Sequence, residues 1–406
     1  MQGHFYRPKC KCPKDAKKCT CGATWSYIVD VGIDPSTGNR KQEKKGGFKT
    51  KSAAQAACAI VVREVEQGIH IKESEITFED FSKEWLADYE NTGNPKKEST
   101  ILVRKREIAR LMPFIGKFKM KDTTRRHFQS ALNSLKEKQY SQSALIGSYT
   151  TGRMIFKKAV EFEYIKTDPT TYASIPKSVK TIDNLELEEE VIKYLEKSEL
   201  SLFLKTAKDK GLGKDYLIFL LLAYTGLRVG ELCALKWKDI DFDGGSVSIT
   251  KTLFNPKCDA KKYKLTTPKT KASKRKISIE EIVLEELKKH KAKQNLVIMK
   301  NRDTYHDKDF IFAKENIEHG YPEHVNTIGR HMRSILKKAG LNTSLTPHSL
   351  RHTHTSLLAE AGVSLPEVME RLGHKNARTT ILVYTHTTKA MKKEASRKFG
   401  ELMKSL

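Results

Sequence analysis

Thr346-Pro347-His348-Ser349-Leu350-Arg351-His352 reads as the opening of a helix. A hydroxyl that can cap comes first, followed by proline at the first helical position, where its missing N–H costs nothing. On such a helix His348 and Arg351 share a face, and His352 joins it one turn beyond His348. A guanidinium grips a phosphate with paired donors, and imidazoles move protons near neutral pH. Two histidines four apart also suit zinc, but the Arg351 cation between them would repel the metal.

Working outward, Ser364-Leu365-Pro366-Glu367 starts another helix that ends at Leu372-Gly373-His374, and Tyr384 lies ten residues beyond His374. Upstream, Thr225-Gly226-Leu227-Arg228 sets a second arginine directly after a chain break, with Glu231 placed to support it. A tyrosine hydroxyl can attack phosphorus and become a covalent ester. Its ordinary pKa is ~10, so it needs a base or a field of positive charge, which two arginines supply while stabilising the transition state. Between these segments, Thr267-Pro268-Lys269-Thr270-Lys271-Ala272-Ser273-Lys274-Arg275-Lys276 holds five basic residues and no acid. An ammonium there can protonate a departing oxygen.

Together these segments resemble the tyrosine recombinases, specifically the integrases of phages and integrative mobile elements. Arg228 matches the first family arginine, His348-x-x-Arg351-His352 the second box, and Leu372-Gly373-His374 followed by Tyr384 the third. The resemblance implies a lysine on a β-hairpin between the first two boxes. Lys269 is favoured for that role and Lys271 stands as the alternative. It implies a site-specific recombinase in which Arg228 and Arg351 hold the scissile phosphate, Tyr384 attacks to give a 3′-phosphotyrosine, His348 serves as general acid/base, Lys269 protonates the leaving oxygen and His374 bonds a non-bridging oxygen. It also implies that catalysis needs neither ATP nor a metal. Its partners would be double-stranded DNA at core and arm sites, a homotetramer built by swapping residues 389–406, and a directionality factor. Two other readings keep the same fold: a DNA-binding regulator, which the intact catalytic set argues against, and a type IB topoisomerase, which the separate basic N-terminal unit argues against.

Composition agrees with a nucleic-acid partner. The 406 residues carry 75 Lys plus Arg against 49 Asp plus Glu, a formal charge of +26, and an excess of that size calls for a polyanion. The longest apolar run, Tyr216 to Tyr224, is nine residues, far short of the ~20 that span a bilayer. The N-terminus has no apolar core for a secretory signal. The expected setting is the cytoplasm, at the nucleoid, away from membranes.

The length predicts two to three domains. Residues 1–72 read as a small β-sheet plus helix (α+β): a strand from Trp25, turn chemistry at Asp34-Pro35-Ser36-Thr37-Gly38-Asn39, a basic extended stretch over 40–50, and a helix over 52–68. Ser52 is the expected cap, and Ala53, Ala56, Ala57, Ile60, Val61 and Val65 the expected buried face. Residues 77–175 read as an all-α unit, with helical periodicity over 102–111, 125–135 and 141–162. A Pro- and Ser/Thr-rich linker closes it at 168–176. Residues 193–406 read as mainly α with a small antiparallel sheet. Helices are expected over 198–206, 215–225 and 229–235, a hairpin turn at Asp243-Gly244-Gly245, and strands over 246–252 and 276–279. The resemblance makes these three units the arm-binding, core-binding and catalytic domains.

One motif stands outside the resemblance. Cys10, Cys12, Cys19 and Cys21 crowd into twelve residues. Four thiolates on short loops suit tetrahedral zinc, and the surrounding lysines would offset their charge. The spacing departs from the usual C-x2-C, so a reduced loop or two local disulfides stay open at this point.

Overall fold

The structure, a computed structural model, describes residues 3–8, 10–12, 21–33, 38–67, 74–91, 93, 96–177, 194–256, 259–268, 273–374, 380–381, 384 and 389–404, with side chains from 396 in the last stretch. The chain divides into two compact units, Met1–Val179 and Lys180–Leu406.

The first unit contains two separate hydrophobic clusters. The smaller lies under an antiparallel sheet of order β1-β2-β3, made of His4–Tyr6, Trp25–Ile33 and Arg40–Phe48. Alternation along β2 turns Tyr27 and Val29 inward, as period-two patterning requires. Helix α1, Lys51–Glu66, covers them with Ala54, Cys58 and Val61. The start and the buried face of α1 both differ from expectation. The cap is Thr50, not Ser52: the chain is still extended at Thr50, whose hydroxyl accepts from the Ala53 N–H at 3.1 Å. The buried face is 54, 58, 61, so Ile60 points to solvent, 60% exposed, because only one stripe of a helix can meet a flat sheet. Strand β3 leaves Arg40, Lys41, Lys44 and Lys45 exposed.

The larger cluster binds four helices, α2 (Phe78–Asn91), α3 (Glu98–Ile115), α4 (Arg125–Glu137) and α5 (Gln142–Glu161), around Phe78, Phe81, Leu111, Phe128 and Phe156. Thr124 and Ser141 cap α4 and α5 through their hydroxyls. A half-buried pair, Arg104 to Glu107 at 2.7 Å, is completed by Thr151 of α5 and ties α3 to α5.

The second unit is built around α7, Asp215–Thr225. This helix is apolar on nearly every side, and its residues Leu217 to Ala223 are all buried, the pattern of a helix that neighbours surround. Around it lie α6 (Lys197–Lys210), the one-turn α8 (Val229–Leu232), α9 (Glu281–Lys300), α10 (Val325–Lys338), α11 (Pro347–Glu360) and α12 (Leu365–Leu372), while α13 is Lys389–Lys404. Strands β4 (Ile240–Asp241), β5 (Ser246–Ile249) and β8 (Arg275–Ser278) form one antiparallel sheet in that order, and β6 (Thr252–Phe254) pairs with β7 (Lys264–Thr266). The Asp243-Gly244-Gly245 turn joins β4 to β5, with Gly244 N–H donating to Asp241 at 2.8 Å. The single strand expected over 246–252 is two strands because its halves have different partners, β8 and β7. The helix expected over 229–235 stops at Leu232. Among the described residues no helix is long and apolar enough to cross a membrane.

Gly226 ends α7 in the left-handed conformation, φ 61°. A β carbon there would lie 2.8 Å from both the His354 ring and the Leu372 side chain. Only glycine meets both demands, and Arg228 follows two residues on.

Candidate active site

Arg228 leaves the Gly226 turn half-exposed and is held by Glu231 one helical turn away. The Arg228 backbone N–H donates to one carboxylate oxygen at 3.0 Å and its guanidinium to the other at 2.8 Å. Glu231 is buried and also receives the Arg275 guanidinium, at 2.9 Å. Burial alone would raise the Glu231 pKa, but the hydrogen bond and charge of Arg275, with Arg228 behind, hold it below the usual value. Arg275 itself is nearly buried and donates through Nε to the Arg371 carbonyl at 2.8 Å.

Arg351 is 2% exposed on α11, whose start is fixed by Pro347 and by the Ser349 hydroxyl accepting from Thr346 N–H at 3.1 Å. Its guanidinium donates to the Gly226 carbonyl, the Leu372 carbonyl and His374 Nε2, each at 2.7 Å. Burial first, then the neighbouring Arg228, pull its pKa downward. His374 follows the left-handed Gly373 cap of α12. Burial, then Arg351 and Arg228, lower its pKa to about 4, so it is neutral. Its Nε2 accepts from Arg351, and its Nδ1–H therefore donates to Thr380 at 2.6 Å. His348 is lowered for the same reasons, burial followed by Arg351 and Arg228, and meets His352 edge-to-face with ring centroids 4.8 Å apart.

Arg228, His348, Arg351 and His374 are thus brought together. Tyr384 stands differently: its hydroxyl donates to the Val363 carbonyl at 2.9 Å. Val363, His374, Lys274 and Arg275 line one cavity of about 620 Å³. Lys269 and Lys271 lie outside the described residues. Of the cysteines, Cys10, Cys12 and Cys21 gather with their sulfurs within 4.8 Å of one another, while Cys19 lies outside the described residues.

Sequence reasoning passed over a supporting layer. Arg371 donates to the Tyr224 and Ser278 carbonyls and to His354, and buried His354 donates to the Ala223 carbonyl. Arg275 was visible only as one of five basic residues, since its role depends on β8 lying beside Glu231. Replacing Arg275 with Met removes the second described cation on Glu231 and the strap from it to the Arg371 carbonyl, so the carboxylate that holds Arg228 loses its anchor and Arg228 shifts with it. Single-turnover DNA cleavage is expected to fall on the order of 100-fold, the cost of a displacement of about an ångström, with Arg275→Lys recovering part of it and DNA affinity little changed.

Residues 193–391 match the phage integrase family, 15–65 an Arm DNA-binding domain and 77–136 the phage integrase N-terminal SAM-like domain. The integrase of Staphylococcus phage L54a is 32% identical over 287 residues, covering 68% of this chain and 79% of its own length. The ICEBs1 integrase of Bacillus subtilis (strain 168) is 28% identical over 387 residues, 93% of this chain and 97% of that one. Among solved structures, the Tn1549 transposon integrase in complex with a circular intermediate DNA superposes with a TM-score of 0.63 at 23% identity, over 80% of this chain and 99% of that one. A lambda integrase dimer on a core site gives 0.55 at 18%, over 92% and 95%. Those two likenesses concern the fold. Three family profiles in order, and a relative matched over most of both chains, establish that this chain belongs to the phage integrase family and is a tyrosine-type site-specific recombinase.

Proposed function

We propose that the chain integrates and excises a mobile element through a 3′-phosphotyrosine. In this reading residues 1–72 bind arm sites, 77–175 grip the core site and 193–406 cut and rejoin. Arg228 and Arg351 hold the non-bridging oxygens of the scissile phosphate. The Tyr384 oxygen leaves the Val363 carbonyl, forms a bond to phosphorus and gives its proton to His348, while the bond to the 5′ oxygen breaks and Lys269 protonates that oxygen. His374, kept neutral with its Nδ1–H on Thr380, accepts from Arg351 through Nε2; both ring nitrogens are then engaged, so it acts by aiming that guanidinium at the phosphate and not, as expected from the resemblance, by donating to a non-bridging oxygen itself. One phosphate ester replaces another, so the partner strand's 5′ hydroxyl can reverse the step, and the family's chemistry needs no cofactor. A tetramer on two duplexes would be joined by α13, which exposes Phe399, Leu402 and Met403, and steered by a directionality factor at the nucleoid. The cysteines of the N-terminal unit would hold a structural zinc ion. The observation that carries the reading is Arg351: one buried guanidinium joins Gly226, Leu372 and His374, and so unites all three sequence boxes.

The test is cleavage of a nicked core-site DNA by the purified chain, without ATP or Mg²⁺. A 3′-linked adduct on the peptide carrying Tyr384 is expected. Attachment elsewhere, or relaxation of plasmids lacking target sites at the same rate, would overturn the proposal. The pH profile adds a signature. A base must be neutral to accept a proton, and His348 is neutral above a pKa that lies below 6.5. kcat/KM, which reports the free enzyme, is therefore expected to fall, on acidification, at a lower pH than it would with an unperturbed imidazole as the base.

A further inference from the structure

The cysteine cluster takes no part in phosphoryl transfer, yet its placement is not arbitrary. Cys10 and Cys12 follow β1, and Cys21 precedes β2, so the cluster sits at the base of the long connection between those strands. The Cys10 and Cys21 sulfurs are 3.6 Å apart. Tetrahedral zinc with Zn–S bonds of about 2.3 Å holds its sulfurs ~3.8 Å apart, and all three described sulfurs lie within 4.8 Å of one another. The three described donors are therefore arranged for one ion.

The need for such an ion follows from the sheet. Strand β1 is only three residues long and pairs at one edge, through His4, Phe5 and Tyr6 against Ile28, Tyr27 and Ser26. The core below is small: among the described residues Tyr27, Val29, Cys58 and Val61 form its buried centre, with Ala54 beside them. Domains with so little apolar burial commonly rely on a disulfide or a metal. Arg7 stacks on Trp25 at 4.2 Å, fastening the same corner where β1 ends and β2 begins. Beside β2 runs β3 with its exposed Arg40, Lys41, Lys44 and Lys45, the cationic strand that phosphates would meet.

We infer that zinc held by Cys10, Cys12 and Cys21 pins β1 into this sheet, and that DNA binding by the N-terminal unit depends on the ion while phosphoryl transfer by the second unit does not. The inference rests on the proposed arm-binding role of residues 1–72. The ion ties residues 10–12 to residue 21, and such a cross-link lowers the entropy cost of bringing β1 beside β2. The catalytic groups stand on a separate and much larger core.

The experiment uses the full-length protein. Metal analysis is expected to give roughly one zinc per chain, bound by tetrahedral thiolate. Cys10→Ser with Cys21→Ser, or a zinc chelator, should remove it and open residues 1–72 to protease. Affinity for arm-site DNA should then drop at least about ten-fold, while cleavage of core-site DNA stays within roughly two-fold. Added zinc should restore the chelated wild-type chain and not the double variant. A chain purified without bound zinc would overturn the inference, as would zinc removal that leaves protease resistance and arm binding intact. If the intact, zinc-loaded chain binds no arm DNA, the domain assignment fails instead, and the protease pattern still decides whether the metal holds the sheet.

Discussion

Tyr384→Phe is expected to abolish covalent DNA adducts altogether while leaving DNA affinity unchanged. Among the described residues the groups gathered with Arg351 are guanidinium and imidazole, and the Thr380 hydroxyl beside them is engaged by His374 at 2.6 Å, so none of these stands ready to replace the phenol oxygen. The variant should also fold normally. The hydroxyl makes one described hydrogen bond, to the Val363 carbonyl, and a single such bond is worth ~0.5–1.5 kcal/mol net. Denaturing gels after incubation with nicked core-site DNA, paired with a mobility-shift titration, read both quantities. Adducts persisting in this variant would remove Tyr384 from the mechanism.

Arg351→Lys should be nearly as severe despite keeping the charge. Arg351 satisfies the Gly226 and Leu372 carbonyls and His374 at once, each at 2.7 Å, from a nearly sealed position. An ammonium has no planar fork and cannot reach three partners and a phosphate together. Losing one preorganised donor to a developing anion costs ~10²–10³ in rate. Here the imidazole contact is disturbed as well, so a fall on the order of 1,000-fold in single-turnover cleavage is expected. Stability should drop too, by about 1–3 kcal/mol for each buried carbonyl left without its donor. A variant within ten-fold of wild type would mean that the site does not depend on guanidinium geometry.

Which features the sequence disclosed depends on the range over which each is determined. The Gly226 break, the Thr346-Pro347 helix start and the Leu372-Gly373 helix end are local events. Each is fixed by side chains within a turn of one another, and each lies where residue patterning puts it. His348 and Arg351 share a helix by spacing alone. Features set by distant partners were hidden. Strand β1 exists only because β2 lies beside it. The division of β5 from β6 reflects two different pairing strands. Arg275 gains its role from a carboxylate 44 residues away. The Tyr384 hydroxyl direction is set by a carbonyl across the chain, at a position where no period constrains it. Thr50 and Ser52 are both competent caps, and only the backbone angles choose between them.

Gly226 has a consequence for how this enzyme can change over generations. The missing methyl is the gap into which His354 and Leu372 settle, so the seam between the helix bearing Arg351 and the one preceding His374 is gauged by a single absent carbon. A lineage that acquired a larger residue there would have to carve out both neighbours before recombination returned. Several coordinated steps would be needed with no useful intermediate, and that makes the position a one-way gate in sequence space.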